Sequence, residues 1–535
     1  MPPTSEHRRE LFVALGIAFA LILVRFFVYT VYEQSFFDSD QAIVGLMAKH
    51  LIEGRAFPLF LYGQPYLLAL DAWVAAPFIW IGGLTVPALR ASAIFMSFTV
   101  VTLLIVGLVR YCRIRPLYAL AASVFFCMVG PVIEASLIEP GANTSPFLFV
   151  LVLYMLRHRP IWFGATLGVA FLTREFTIYA VPVLLVLDAV NGRLFQLPRL
   201  RQWGIAAISA VVVWYGVQAL RPLSDPNGPG SRGVTQFDKS QSANLTARMA
   251  IIPSELPRRT AAMATTHLPR LLGAKHVDVG FAAQGRDWLF WPVWIALVAG
   301  IGRVVWSARG PREDSESSNA GARTRGGGPP SLGEAELRRA TPEPSGGEAP
   351  RATNKDDSPS RGTPLVWEFP AYLFGVGLVA LLAYIATRPA EQSVDRYYLF
   401  GLLIPTGLIA GLLTLEARVL WRRVTVAVAI AWTVISATDY VTLAKRYWGG
   451  REANEIRVLA DALVERHIPV AIAGYWRAYK LTFLTGEKVK VASSDAVRID
   501  EYQTLANQAG DQLVKIQEQP CPNGEKVSRW WLCRK

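Results

Sequence analysis

Apolar runs of about twenty residues punctuate this chain, and they restrict its fold more than any other feature. Hydrocarbon offers the backbone no hydrogen-bond partner, so such runs cross a bilayer as helices. The runs 11–31, 87–109, 116–133, 203–221, 287–305, 366–387, 397–415 and 421–442 meet that description. The region 141–190 is apolar but broken at Arg157-His158-Arg159-Pro160 and at Thr173-Arg174-Glu175, which divides it into helices over 141–156, 161–173 and 175–190. Together these predict a polytopic α-helical membrane protein of about eleven spans. Composition agrees, with 52% hydrophobic and 18% charged residues.

The net charge of +13 does not indicate nucleic acid, because the basic residues sit between apolar runs. That is the pattern of cytoplasmic loops. With the N-terminus cytoplasmic, the inner segments 1–10, 110–115, 157–160, 191–202 and 416–423 carry 13 Lys and Arg. The outer segments 31–86, 134–144 and 388–396 carry four, Lys49, Arg55, Arg388 and Arg396. An odd number of spans then places the C-terminus outside. The first run follows His7-Arg8-Arg9-Glu10 and continues well past the small-residue pattern Ala18-Phe19-Ala20, so it reads as an uncleaved span rather than a signal peptide. The stretch 66–84, YLLALDAWVAAPFIWIGGL, is apolar enough to span, but spanning would turn the basic loop 110–115 outward. It reads instead as a helix lying in the outer interface.

Four regions follow. Residues 1–306 form an N-terminal membrane region with outer loops 31–86 and 222–286, and 307–364 is rich in Gly, Pro, Ser, Arg and Glu, the composition of a disordered cytoplasmic linker. Residues 365–444 return to the membrane. Residues 445–535 alternate a helical pattern (ANEIRVLADALVERH) with strand patterns (IPVAIAGY, KVKVASS), as a small extracytoplasmic α/β domain would. Cys521 and Cys533 lie in that tail; if it is exported they are disulfide candidates, the alternative being two unpaired thiols.

Ionisable groups at the outer ends of spans are costly unless used or paired. Four clusters stand there: Asp38-Ser39-Asp40; Glu134 with Glu139; Arg174-Glu175; and Asp395-Arg396-Tyr397-Tyr398. Each has a structural reading as helix cap, turn acid, ion pair or interface anchor. Their convergence on one membrane face is the argument for a site.

The order of motifs adds to this. Asp40 opens a helix that closes on Gly54; YGQPY (62–66) and GGLTVPALR (82–90) follow; LIEPG (137–141) holds the second acid; GVAFLTREFTIYAVPVLLVL (168–187) joins a small-residue helix, a basic turn and a proline-bearing helix; DRYYLFGLLIP (395–405) comes late. This arrangement resembles the GT-C superfamily of polyprenyl-phosphate-sugar-dependent glycosyltransferases, in the branch of the protein O-mannosyltransferases and lipid A aminoarabinose transferases. The resemblance covers 1–190 and, more loosely, 366–442. It departs from the family pattern in having Gln41 after the first acid, Glu139 for an aspartate and Arg174 for a lysine.

The resemblance implies a GT-C-like membrane fold and transfer of a hexosyl or pentosyl group from a polyprenyl-phosphate donor. The acceptor would be a hydroxyl of a lipid, glycan or protein at the extracytoplasmic face of a bacterial inner membrane. Asp40 would be the general base, with Asp38 as fallback. Glu139 would orient the acceptor or support Asp40. Arg174 and Arg396 would hold the donor phosphate, since guanidinium matches phosphate geometry. Tyr62, Gln64 and Tyr397 would bind substrate. No cofactor is certain: with a single leaving phosphate the arginines can suffice, and the carboxylates leave a divalent metal open. The competing readings are a transporter or flippase of a lipid-linked sugar, for which no internal repeat is visible, and a non-enzymatic membrane scaffold.

Overall fold

A computed structural model describes residues 5–32, 36–140, 143–220, 251–273, 365–387, 395–416, 418–450 and 454–534, with scattered positions from 291 to 302. The linker 307–364, most of the loop 222–286 and most of the run 287–305 lie outside the described residues. Helix α1 (Ser5–Val31) leads into α2 (Ser39–Ile52), an antiparallel hairpin of β1 (Phe60–Leu61) and β2 (Gln64–Leu68), α3 (Leu70–Gly82) and α4 (Val86–Cys112). Then come α5 (Pro116–Cys127), α6 (Pro131–Leu137), α7 (Ser145–Leu156), α8 (Pro160–Thr173), α9 (Ala180–Val190) and α10 (Leu197–Ala219). Helices Glu368–Ala386, Leu403–Leu415 and Val419–Gly450 follow the linker.

Among the described residues, five helices are long and apolar enough to cross a membrane: Ser5–Val31, Val86–Cys112, Leu197–Ala219, Glu368–Ala386 and Val419–Trp448. The chain is an integral membrane protein. The run 116–133, read above as one span, is a bent pair in which α5 and α6 meet at 88°. Pro131 opens α6 and leaves Gly130 extended at ψ 151°, because proline disfavours helix in the residue before it. Other expected spans are shorter apolar helices, at Ser145–Leu156, Pro160–Thr173 and Leu399–Leu415. The run 175–190 divides into a 3-10 turn, Glu175–Tyr179, and α9. A count of about eleven therefore rests partly on helices below the usual ~20 residues.

The stretch 66–84 is not one helix. It begins inside β2 and turns helical only at Leu70. The 13 residues of α3 rise about 20 Å, short of a hydrocarbon core of about 30 Å.

Side chains of α1, α4, α5, α7 and the three later helices bury one another in a single apolar core. Small residues set the closest contact of the bundle, between α8 and α10. A Cβ on Gly164 would stand 2.1 Å from the Ala206 carbonyl, and one on Gly168 2.7 Å from that of Ala210. This small-xxx-small spacing lets two backbones approach in lipid, where van der Waals packing must replace the hydrophobic drive. Charge is also buried there: Arg25 Nε lies 3.1 Å from Glu134 Oε2, both side chains fully buried.

A second core lies at one end of the bundle. Residues 454–534 fold into a five-stranded sheet of order β4-β3-β5-β7-β6, with β3 (Val470–Ala473), β4 (Lys490–Ser493), β5 (Val514–Gln517), β6 (Glu525–Val527) and β7 (Trp530–Arg534). Strand β3 runs parallel to β4 and β5, while β7 is antiparallel to β5 and β6. Cys521 and Cys533 are joined in a disulfide with Cα atoms 6.1 Å apart. The helices Glu455–Glu465, Tyr475–Leu484 and Asp500–Gln508 flank the sheet. This unit does not close its core alone. Ala42, Ile43, Leu46 and Met47 of α2 and Ala72, Ala75 and Ile79 of α3 are buried in the same cluster as Leu463, Tyr479, Phe483 and Val491. A domain boundary drawn at 444/445 falls inside the helix Val419–Gly450.

A polar knot reinforces this joint. The buried carboxylate of Glu487 accepts from Lys49 Nζ at 2.5 Å, Arg55 Nη1 at 2.9 Å and Tyr502 Oη at 2.9 Å. His50 Nε2 lies 3.2 Å from its Oε1.

Candidate active site

Asp38 caps α2. Its carboxylate accepts from the Gln41 amide at 3.0 Å, as a short acid at an N-cap should. Asp40 then falls in the first turn, where the helix dipole favours negative charge. The loop before it is pinned through the Phe36 carbonyl, which accepts from Gln41 Nε2 at 2.7 Å and from Arg90 Nη2 at 3.0 Å. The other arm of Arg90 donates to the Ile138 carbonyl at 2.8 Å. One buried guanidinium thus ties the Asp40 loop to the Glu139 loop. Asn143 completes the second loop, donating to Glu139 Oε2 and to the Ser136 carbonyl, each at 2.9 Å.

These loops meet over a narrow recess with about 20 Å³ of free space, room for little more than a water. Asp40 and Glu139 line it with Arg174 and Arg396, which arrive from the turn after α8 and from the 3-10 turn Asp395–Tyr397. Tyr62 and Gln64 line it from the β1–β2 hairpin, and Tyr475 and Arg498 from the C-terminal sheet unit. Tyr475 Oη donates to Asp40 Oδ1. Gln64, its amide oxygen turned toward Arg498, accepts from Nη2 at 2.9 Å and Nη1 at 3.1 Å.

The recess is charged on both sides. Burial, then the neighbouring Asp40 carboxylate, push the Asp38 carboxyl above its ordinary value. Burial pushes Glu139 up to about 7, against the pull of Arg396. Burial works against the charge of Arg396, but Glu139, Tyr397 and Asp40 more than hold it on. Burial and Asp40 both keep Tyr475 neutral, as a donor must be. Half-buried acids stand close to arginines here, where each charge acts more strongly on its neighbours than in bulk water.

Of the residues singled out from the sequence, Asp40, Glu139, Arg174, Arg396, Tyr62 and Gln64 are brought together here. Three are placed otherwise. Asp38 is a cap and does not line the recess. Tyr397 packs its ring against Phe176, centroids 6.5 Å apart. Glu134, grouped with the outer-face acids, is the buried partner of Arg25. The Tyr62 hydroxyl lies 3.1 Å from His50 Nδ1, on the Glu487 side.

Tyr475 and Arg498 were not singled out. A signal existed: Tyr475 comes two residues after β3 and Arg498 five after β4, the carboxyl ends of two parallel strands. Ligands of open α/β sheets bind at those ends. Among the described residues no group of three or more His, Cys, Asp or Glu side chains is arranged to hold a metal ion. The recess carboxylates are engaged by protein donors, Tyr475 on Asp40 and Asn143 on Glu139.

No family model matches the chain, and no curated protein matches it in sequence. Solved structures do match. ArnT from Cupriavidus metallidurans bound to undecaprenyl phosphate aligns over 97% of this chain and 97% of its own, at 12% identity and TM-score 0.54. The same protein in the apo state aligns over 97% and 98%, at 12% identity and TM-score 0.38. The fold of this chain is GT-C-like.

Proposed function

We propose that the chain is a membrane glycosyltransferase that moves a sugar from a polyprenyl-phosphate donor to an acceptor hydroxyl at the extracytoplasmic face. The observation that carries this reading is the convergence of Asp40, Glu139, Arg174 and Arg396 on one recess at the end of a GT-C-like helical bundle. A structural neighbour that binds undecaprenyl phosphate supports a donor on a lipid phosphate. The sugar, the acceptor class and the bacterial inner membrane as location belong to the proposal.

In this mechanism the acceptor hydroxyl attacks the anomeric carbon and gives its proton to Asp40. The bond from that carbon to the phosphate oxygen breaks, and the polyprenyl phosphate departs with both electrons. Negative charge grows on the leaving oxygen, where Arg174 and Arg396 supply preorganised donors in a site shielded from water. Glu139, hydrogen-bonded by Asn143 and set against Arg396, orders the arginines and the acceptor.

The test is Asp40→Asn in membranes, with the donor supplied as a radiolabelled polyprenyl-phosphate sugar. The amide keeps size and polarity but cannot take a proton, so transfer should fall by about 10²–10⁴-fold at unchanged protein abundance. Full transfer by the variant would remove Asp40 from the role. Movement of the labelled lipid between leaflets without product would favour the flippase reading.

A further inference from the structure

The C-terminal sheet unit does more than cover the recess. We propose that Tyr475 is a positioning residue that aims the general base Asp40, so that the site is complete only when the last eighty residues are docked. This rests on the glycosyltransferase reading and extends it to a residue 435 positions away.

Three observations carry the inference. First, the Tyr475 hydroxyl donates to Asp40 Oδ1. A directed donor fixes the orientation of the carboxylate that accepts from it. Second, Tyr475 is itself fixed from every side. Its amide donates to Asp495 Oδ1 at 2.7 Å, and Asp495 accepts in turn from Ser493 at 3.0 Å. Its carbonyl accepts from Ser39 Oγ at 2.6 Å, one residue before Asp40. The Arg498 guanidinium lies 5.6 Å from its ring centroid. Third, Arg498 also clasps the hairpin across the recess, donating to the Gly63 carbonyl at 3.0 Å and to Gln64. A Cβ on Gly63 would stand 2.5 Å from Arg498 Cδ, and its φ of +68° suits glycine. Fixed supports around one carboxylate are what a base needs to reach its substrate in a single geometry.

The charges around Asp40 come from every wall of the recess: Asp38 at the cap of its own helix, Glu139, Arg174 and Arg396 from the bundle, and Arg498 beside Tyr475. Tyr475→Phe removes the donor and leaves those charges and the buried ring in place.

The test has two arms on the purified full-length protein. In the first, a water-soluble carbodiimide labels carboxyls at one fixed pH, and mass spectrometry follows Asp40 by its fragment ions. Tyr475→Phe should label Asp40 about threefold faster or more, because the carboxylate loses the hydroxyl that engages it. Tyr479→Phe is the control, because it removes a neighbouring hydroxyl that binds the Arg498 amide rather than Asp40. Its labelling rate should match that of the native protein. In the second arm, Tyr475→Phe should lower kcat about tenfold or more with the donor KM little changed. Equal labelling rates in the native protein and Tyr475→Phe, or an equal rise in Tyr479→Phe, would overturn the inference. An inactive native protein with faster labelling in Tyr475→Phe would sink the glycosyltransferase reading while upholding the hold of Tyr475 on Asp40.

Discussion

Replacing Gly45 by alanine should cripple transfer while costing only modest stability. Gly45 lies five residues after Asp40 on α2, at the contact between that helix and Tyr475–Leu484. A Cβ there would stand 2.3 Å from Phe483 Cε2, where ordinary contact begins at 3.4 Å. At least about 1 Å must be found. Phe483 is fully buried and its ring packs on Phe37 at 5.0 Å between centroids, so the ring has little room to retreat. The shift passes to α2, which carries Asp40. Overpacking of this kind costs about 1–3 kcal/mol, and a 1 Å misplacement of a catalytic group costs about 10²-fold in rate. Thermal unfolding in detergent, with transfer measured on the same preparation, reads both. Gly45→Ala/Phe483→Leu should restore most of the turnover, because the leucine returns the missing space. Native turnover in Gly45→Ala, or a double variant no better than the single, would refute this account of how α2 is held.

The other predictions concern buried charge. Glu134→Gln should destabilise the bundle by about 3–5 kcal/mol, because it leaves Arg25 buried without its counter-charge; the pair replacement Arg25→Met/Glu134→Leu should recover most of that loss in the same unfolding assay. Glu487 should set the acid stability of the joint between the bundle and the C-terminal unit. Burial opposes its charge, but bonds from His50, Lys49 and Arg55 outweigh burial and hold the carboxyl well below its ordinary 4.5. A carboxyl depressed in the folded state stabilises above its unfolded value and loses that contribution as pH falls toward the folded one. Limited proteolysis should therefore find the C-terminal unit equally protected from neutral pH down to about 5 and progressively released below about 4. Glu487→Gln should release it already at neutral pH.

Parts of this protein were legible because they follow from local physics. The helices at α1, α4, α10 and Glu368–Ala386 were visible as apolar length. Asp38 and Asp40 before an apolar helix announced an N-cap, and the Asp38 bond to the Gln41 amide is that cap. The break at Met128–Gly130 was hidden, since hydropathy is unchanged through an 88° bend and only Gly130-Pro131 marks it. The β1–β2 hairpin was hidden too, because its apolar residues continue without a break into α3. Glu134 shows a limit of charge as a signal: an acid near the end of an apolar run looks the same whether it faces a substrate or an arginine 109 residues earlier in the chain.

The recess also shows why reading the chain as separate regions missed the wall that Tyr475 and Arg498 supply. Asp40 has its cap and helix dipole from its own neighbours, but its hydrogen-bond donor comes from the far end of the chain. The same holds for the hairpin, where Gln64 and Gly63 are met by Arg498. A sheet of three- to five-residue strands buries too little apolar surface to be robust alone, and it completes its core with α2 and α3. The packing that stabilises the C-terminal unit is thus the packing that brings Tyr475 and Arg498 to the carboxylates. Folding of the C-terminal unit and assembly of the site are one event. A variant that loosens the joint, whether at Gly45 or at Glu487, should therefore lose transfer at temperatures where the membrane bundle is still folded.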